Sequence, residues 1–270
     1  MKIQSNIQSA QYKNSINTQK INERQQQKNA REVASGKKVN TAADDAVVLQ
    51  ISEELLKQMN ALKAGTDNIS AGKDMLNIAD GAMANITESL GDMETNTIRA
   101  MNGLYSDSDR EILQDANEAA TETIRHIAET TKYNEINPLD GSSQQVNIYT
   151  GNSGRAITNA SLEDTIASLE NFTVATDPDA IDTEALDEAF ANVQSARSTI
   201  GAQMNGLESA ATVNRITEEN EEASYSRMTD AQMNEAISRY KASAALGAAQ
   251  NMALANQMAT NSNLVTRMMQ

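Results

Sequence analysis

The chain has 270 residues, with six Tyr, two Phe, no Trp, no Cys and two Pro, so its interior must be built from Ala, Ile, Leu and its 13 Met rather than from aromatic bulk. Lacking Cys, it has no disulfide framework, zinc–thiolate site or cysteine nucleophile, and it contains no run of about 18 apolar residues that would cross a membrane. The net charge of −15 is divided: residues 1–40 carry eight Lys/Arg against two Glu and residues 226–270 carry four against two acids, leaving −23 on 41–225, a charge that disfavours nucleic acid and anionic membranes as partners.

In chain order, residues 1–40 hold 13 Gln and Asn, including Gln25-Gln26-Gln27. Ile3, Ile7 and Ala10 are spaced for one helix face, and only Ile16, Ile21, Ala30 and Val33 follow. That is too little apolar surface to offset the entropy of ordering, so this segment alone is expected to be disordered or marginal and to order only against a partner. Its basic charge reads either as a solvated helix face or as half of a layer shared with the C-terminal end. The first residues, Met1-Lys2-Ile3-Gln4-Ser5, lack the apolar stretch of a secretory signal, which leaves retention inside the cell or a signal-independent export route.

From Ala46 a 3/4 stripe appears: Leu55, Met59, Leu62, Thr66 and Ile69, then, after a slip near Gly72, Leu76, Ala79, Met83, Ile86, Leu90 and Met93. One helix over 46–104 would be about 88 Å long, a rod suited to a bundle or an assembly. Asn102-Gly103 and Ser106-Asp107-Ser108-Asp109 predict a turn followed by a Ser or Asp helix cap. Ile112, Ala116, Ala120, Ile124 and Ile127 then define an antiparallel helix to about Thr131. Within 133–154, turn residues around Gln145-Val146-Asn147-Ile148-Tyr149 predict a hairpin. A polar segment follows to about Ile181. A third long helix starts near Asp182-Thr183-Glu184, with Leu186, Phe190, Val193, Arg197, Ile200, Met204 and Leu207 in register. Ile237, Tyr240, Ala244, Ala248, Met252 and Ala255 carry the same theme to the C-terminus. The expected fold is predominantly all-α, a long antiparallel helical bundle or coiled coil with a small β-hairpin.

Catalytic chemistry finds no foothold. The single His126 sits in no metal-binding spacing. Gly72-Lys73 lacks the first phosphate-loop glycine, with Asp67 in its place, and Asp74 replaces the Ser/Thr that would bind magnesium. Asp177-Pro178-Asp179 fails as a calcium loop at Ile181. No nucleophile, base and oxyanion donor converge, so the reading is no enzyme, no metal and no cofactor.

The chain resembles the bacterial flagellins. Ala34-Ser35-Gly36-Lys37-Lys38-Val39-Asn40-Thr41-Ala42-Ala43-Asp44-Asp45-Ala46 is similar to that family's S-S-G-x-R-I-N-S-A-x-D-D-A signature. Asn102-Gly103 and the Ser106–Asp109 run sit where the family turns between its N-terminal helices, and Thr131-Lys132-Tyr133-Asn134 through Leu139-Asp140-Gly141 resembles its hairpin entry. Ala196-Arg197-Ser198-Thr199-Ile200-Gly201-Ala202 is similar to the R-S-x-L-G-A motif. Ser226-Arg227-Met228 with Asp230, and Ala255-Asn256-Gln257-Met258, complete a resemblance that covers about 1–155 and 182–270. It implies a subunit that polymerises into a helical tube for swimming motility. Residues 1–45 and 226–270 would pair as an inner coiled-coil layer, and 46–225 would form an outer helical rod with the hairpin. It also implies a homopolymer, an extracellular location, type III export without a signal peptide, and a cap protein, junction proteins and an export chaperone as partners. Signature and assembly residues by this resemblance are Ser35, Gly36, Asn40, Ala43, Asp44, Asp45, Arg197, Gly201, Arg227, Asn256 and Gln257.

The sequence also departs from the family. Its variable outer region is reduced to a short polar connector at about 155–181, with Ser/Thr in 142–176 as candidate glycan sites. The stretch that a Toll-like receptor reads in stimulatory flagellins, L-Q-R-V-R-E-L, aligns with Leu90-Gly91-Asp92-Met93-Glu94-Thr95-Asn96. Asp92 and Glu94 replace two arginines and Asn96 a leucine. Ala116 stands for an acidic residue and Gly206 for an arginine, so receptor binding is expected to be weak. The same stretch packs between subunits in family filaments, and Gln26 replaces an aliphatic of the inner layer, which points to a minor or specialised flagellin or to contacts that changed together. The alternatives are a hook–filament junction protein, against which the Ala-Ala-Asp-Asp-Ala and Ala-Asn-Gln-Met runs argue, and a non-polymerising coiled-coil interaction protein.

Overall fold

A computed structural model describes residues 2–139, 141, 145–175 and 177–269. Asp140, Ser142, Ser143 and Thr176, named above in the hairpin entry and among the glycan candidates, lie outside the described residues, as do the side chains of Ile3, Ile7 and Arg267. In order the elements are α1 (Lys2–Ser35), α2 (Ala46–Ala100), α3 (Asp107–Thr130), β1 (Gln145–Tyr149), β2 (Gly154–Thr158), α4 (Glu163–Glu170), a 3-10 turn (Pro178–Ala180), α5 (Glu184–Thr229) and α6 (Met233–Met269). They divide into two compact units, one of residues 1–57 with 220–270 and one of residues 58–219.

In the second unit the stripe on α2 is the core. Ile69, Leu76, Ala79, Met83, Ile86, Leu90 and Met93 are all buried. Each buried Leu, Ile or Met contributes about 1.5–3 kcal/mol relative to exposure. The helix is continuous through Gly72, and the slip in the stripe has a packing cause: Ile148 and Ile157 of the hairpin lie over that glycine, so close that an added Cβ would meet both at 3.2 Å. α2 stops at Ala100, four residues short of the expected end, because Asn102 folds its Oδ1 back onto the Leu104 N–H at 3.1 Å. Ser106 then caps α3 in a full capping box: its hydroxyl accepts from Asp109 N–H, and its own N–H donates to the Asp109 carboxylate. Donation from the Ser106 hydroxyl at 2.7 Å, and from its N–H, holds the Asp109 carboxyl below its ordinary range.

α3 buries the expected face only in part. Ile124 is buried and Ala120 and Ile127 pack half-buried on the core, but Ile112 and Ala116 are exposed, and Asn117, Thr121 and Ala128 also face inward. The polar members are partly satisfied: Thr121 Oγ1 donates to the Asn117 carbonyl at 3.0 Å and the Asn117 Oδ1 accepts from Asn96 of α2, whereas the Asn117 Nδ2 is buried without a partner. The hairpin is as expected, antiparallel with Gln145 opposite Thr158 and Tyr149 opposite Gly154. The polar connector proves more structured than its composition suggested. It contains β2 and α4, and Leu162, Leu169, Phe172, Val174 and Ile181 all enter the core. Gln114 on α3 holds it in place, donating to the Phe172 carbonyl and accepting from Val174 N–H at 2.7 Å.

In the first unit α1 pairs antiparallel with α6, and the seam is polar. Gln19 donates to Asn251, Asn22 to the Ser243 carbonyl, and Asn29 to both the Arg239 carbonyl and the Ser243 hydroxyl, while Arg239 meets Glu32 at 2.6 Å. Asn22, Asn29, Glu32 and Ser243 are buried. The partner that segment 1–40 requires is therefore α6 of its own chain. The stripe Ile237, Tyr240, Ala244, Ala248, Met252 and Ala255 takes little part in this pairing: all are exposed but Ala244, which is half-buried, while Ser243 meets Asn22 and Asn29 and Gly247 lies against Asn22 and Gln26. Ile21 is likewise exposed.

Candidate assembly site

Most signature residues converge in the segment that joins α1 to α2 and in the one that joins α5 to α6. Gly36 adopts φ +69°, a left-handed conformation suited to ending α1, and its N–H reaches the Glu32 carbonyl at 3.0 Å. Ser35 closes the same turn by accepting from Lys37 N–H. The two connecting segments are then joined by backbone. Lys37 bridges Asp230, Lys38 N–H donates to the Thr229 carbonyl at 2.7 Å, and the Gly36 carbonyl accepts from Ala231 N–H at 2.8 Å. Lys38 Nζ donates to the Arg227 carbonyl at 2.9 Å, and Lys37 Nζ to the Tyr225 hydroxyl at 2.6 Å.

Asp44 and Asp45 have separate tasks. Asp45 caps α2, its Oδ1 accepting from the N–H groups of Val47 and Val48 at 3.0 Å each. Asp44 folds the loop before it. Burial by itself would raise the Asp44 carboxyl, but donation from the Asn40 and Thr41 N–H groups, the Thr41 hydroxyl and Lys28 outweighs this and holds it below its ordinary range. Asn40 secures the other side by donating its amide to the Lys37 carbonyl at 2.7 Å. Ala43 is exposed and makes no side-chain bond in this turn. The Arg227 guanidinium donates to Ser224, and the Ser226 hydroxyl to the Asp230 carboxylate.

The remaining predicted residues lie elsewhere. On α5, Arg197 grips Asp80 of α2 at 2.9 Å, which raises the guanidinium pKa through that hydrogen bond and the carboxylate charge. Gly201 has open space where a Cβ would stand. Asn256 and Gln257 lie on α6, Asn256 exposed and Gln257 half-buried. Of the altered stretch, Leu90 is buried, Asp92 and Glu94 are exposed, and Asn96 is half-buried on Asn117. Gly206 is not vacant surface, because the Arg155 guanidinium of β2 occupies the space a side chain would need.

Sequence reasoning missed a junction of α2, the hairpin turn and α5. Gly65 lies against the backbone of Thr150 and Gly151, Gly151 against the backbone of Ala61 and Leu62, and Asn214 donates to the Thr150 carbonyl at 2.8 Å. An isolated glycine within so regular a stripe was the available signal. Lys73 pairs with Glu208 between the same two helices. Among the described residues, no cluster of three or more His, Asp or Glu is arranged to hold a metal ion, and no helix is long and apolar enough to cross a membrane.

This arrangement has counterparts in known proteins. Residues 3–144 match the family model for the bacterial flagellin N-terminal helical region, and residues 183–266 that for the C-terminal helical region. A flagellin of Listeria monocytogenes is 30% identical over 195 residues, covering 65% of this chain and 68% of that protein. The flagellar filament 30.7 kDa core protein of Treponema maltophilum is 29% identical over 252 residues, covering 82% of this chain and 84% of that protein. In fold, the chain is similar to a structure titled putative flagellar hook-associated protein from Vibrio parahaemolyticus, with a TM-score of 0.56 at 16% identity, covering 70% of this chain and 98% of that one.

Proposed function

The chain belongs to the bacterial flagellin family, and from that premise we propose that its copies polymerise into the extracellular filament with residues 1–45 and 226–270 as inner coiled-coil layer and 46–225 as outer rod. One observation carries this reading. Pairing of α1 with α6 consumes a polar seam and leaves Ile237, Tyr240, Leu246, Met252 and Met258 exposed. Apolar side chains exposed around a helix that its own chain covers on one face only call for other surfaces, and copies of the chain supply them. The role is structural rather than catalytic.

Export through the flagellar type III channel, with a cap, junction proteins and an export chaperone as partners, belongs to the same proposal. A polar seam makes the ends weakly self-sufficient, which suits a chain that must be threaded before it is ordered. Heat-dissociated subunit returned to concentrated sulfate is expected to form hollow tubes of even diameter, seen by sedimentation and electron microscopy. Deletion of 1–30 or of 240–270 is expected to abolish the tubes while helicity of 58–219 persists. Full-length protein that stays soluble even with homologous seeds would overturn the reading.

Weak engagement of the Toll-like flagellin receptor is part of the proposal too. The altered stretch exposes two acids, Asp92 and Glu94, beside Thr95, and Ala116 offers no carboxylate on α3. Reporter cells are expected to respond at least tenfold less than to a stimulatory flagellin; an equal response would refute this part alone.

A further inference from the structure

We propose that Met233, Met252 and Met258, on the exposed surface of α6, form an oxidation site at which a peroxide-class oxidant makes the free subunit unable to assemble. The chain has 13 Met and no Cys, so no thiol competes and two-electron oxidation at sulfur falls on thioethers. Among the described methionines, Met75, Met83 and Met93 in the core of the second unit are 2%, 0% and 0% exposed, Met59, Met204 and Met228 are half-buried, and Met233, Met252 and Met258 are 40%, 65% and 53% exposed. In the reaction a lone pair on sulfur attacks one peroxide oxygen, the O–O bond breaks and an S–O bond forms. Hydrogen peroxide is reduced and leaves as water. A thiol-dependent sulfoxide reductase would reverse the change.

The consequence follows from where these side chains stand. Met258 shares a side of α6 with Ile237 and Tyr240, and all three are exposed because α1 docks through Ser243 and Gly247. This step rests on the assembly reading above, in which copies cover that surface. A thioether enters such a contact as a flexible apolar filler, whereas a sulfoxide brings a polar S–O group that must find a donor or be buried unpaired. Assembled filament would then be protected and free subunit vulnerable.

The test treats dissociated full-length subunit with hydrogen peroxide and maps sulfoxide by peptide mass spectrometry before polymerisation. Met233, Met252 and Met258 are expected to oxidise at least tenfold faster than Met75, Met83 and Met93, and the critical concentration for assembly to rise at least tenfold. The critical concentration of the triple variant M233L/M252L/M258L is expected to be the same with and without the treatment, although it keeps Met101, which is 39% exposed at the end of α2. Oxidised wild type that assembles like untreated protein, or a triple variant whose critical concentration rises on treatment as much as that of wild type, would overturn the proposal while leaving the assembly reading intact. Untreated subunit that never assembles would overturn both.

Discussion

Three glycines of α2 and the hairpin turn show how differently one residue type can be used. At Gly65 an added Cβ would lie 2.2 Å from the Thr150 carbonyl carbon, and at Gly151, with φ +92°, 2.6 Å from the Ala61 carbonyl oxygen. Both neighbours are backbone, which cannot turn aside as a side chain can. Gly81 sits on the same helix with nothing within 4 Å. Thermal and urea unfolding should therefore separate them. Gly65→Ala is expected to destabilise by about 3 kcal/mol through overpacking, and Gly151→Ala by a similar amount plus about 1–3 kcal/mol of backbone strain. Gly81→Ala should stabilise by about 0.5–1 kcal/mol through helix propensity. A Gly65→Ala protein as stable as wild type would mean that the hairpin turn is not docked on α2. Gly65 was not legible as a docking point because its partners come from 85 or more positions away in sequence and periodicity carries no record of them.

At the scale of elements, legibility followed the range of the forces involved. The long stripe on α2, the Ser106 cap and the hairpin were readable because apolar spacing, capping hydroxyls and turn residues act within a few positions. The errors arose where tertiary partners decided. Ile112 and Ala116 of α3 look like core by spacing, yet Asn117 and Thr121 are buried, the Asn117 Oδ1 and the Thr121 hydroxyl finding partners there while the Asn117 Nδ2 finds none. α4 was invisible because eight residues with two acids in the first turn make a weak periodic signal, and its Leu169 gains meaning only beside Phe172 and Val174. On α6 the apolar spacing was legible, but the groups that α1 meets were not: Asn22 donates to the Ser243 carbonyl and Asn29 to the Arg239 carbonyl and the Ser243 hydroxyl, while Ile21 is exposed. Seams of this kind trade stability for register, since a buried amide tolerates few alternative alignments. Of the assembly site, the turn chemistry of Gly36, Asp44 and Asp45 was legible; the backbone joining of 36–38 to 229–231 spans nearly two hundred residues and was not.

For the whole molecule, charge and burial make opposing demands on assembly. Copies that associate bring together centres that each carry −23 over residues 41–225, while the ends, at +6 over 1–40 and +2 over 226–270, attract those centres weakly at best. Repulsion between exposed carboxylates is screened over a Debye length of about 10 Å at 0.1 M salt. The exposed apolar residues of α6 respond to a different variable, exclusion of the anion from protein surface, which sulfate provides and chloride does not. The two contributions should therefore separate at matched ionic strength. Raising sodium chloride from about 0.02 to about 0.2 M is expected to speed seeded growth and then to plateau as screening saturates. Sulfate at the same ionic strength should give faster growth and a lower critical concentration, with the difference lost in a variant carrying Ile237→Ser and Tyr240→Ser. Light scattering with matched seeds measures both arms. Equal growth in chloride and sulfate would show that relief of acidic repulsion alone limits assembly and that the exposed side of α6 does not drive it.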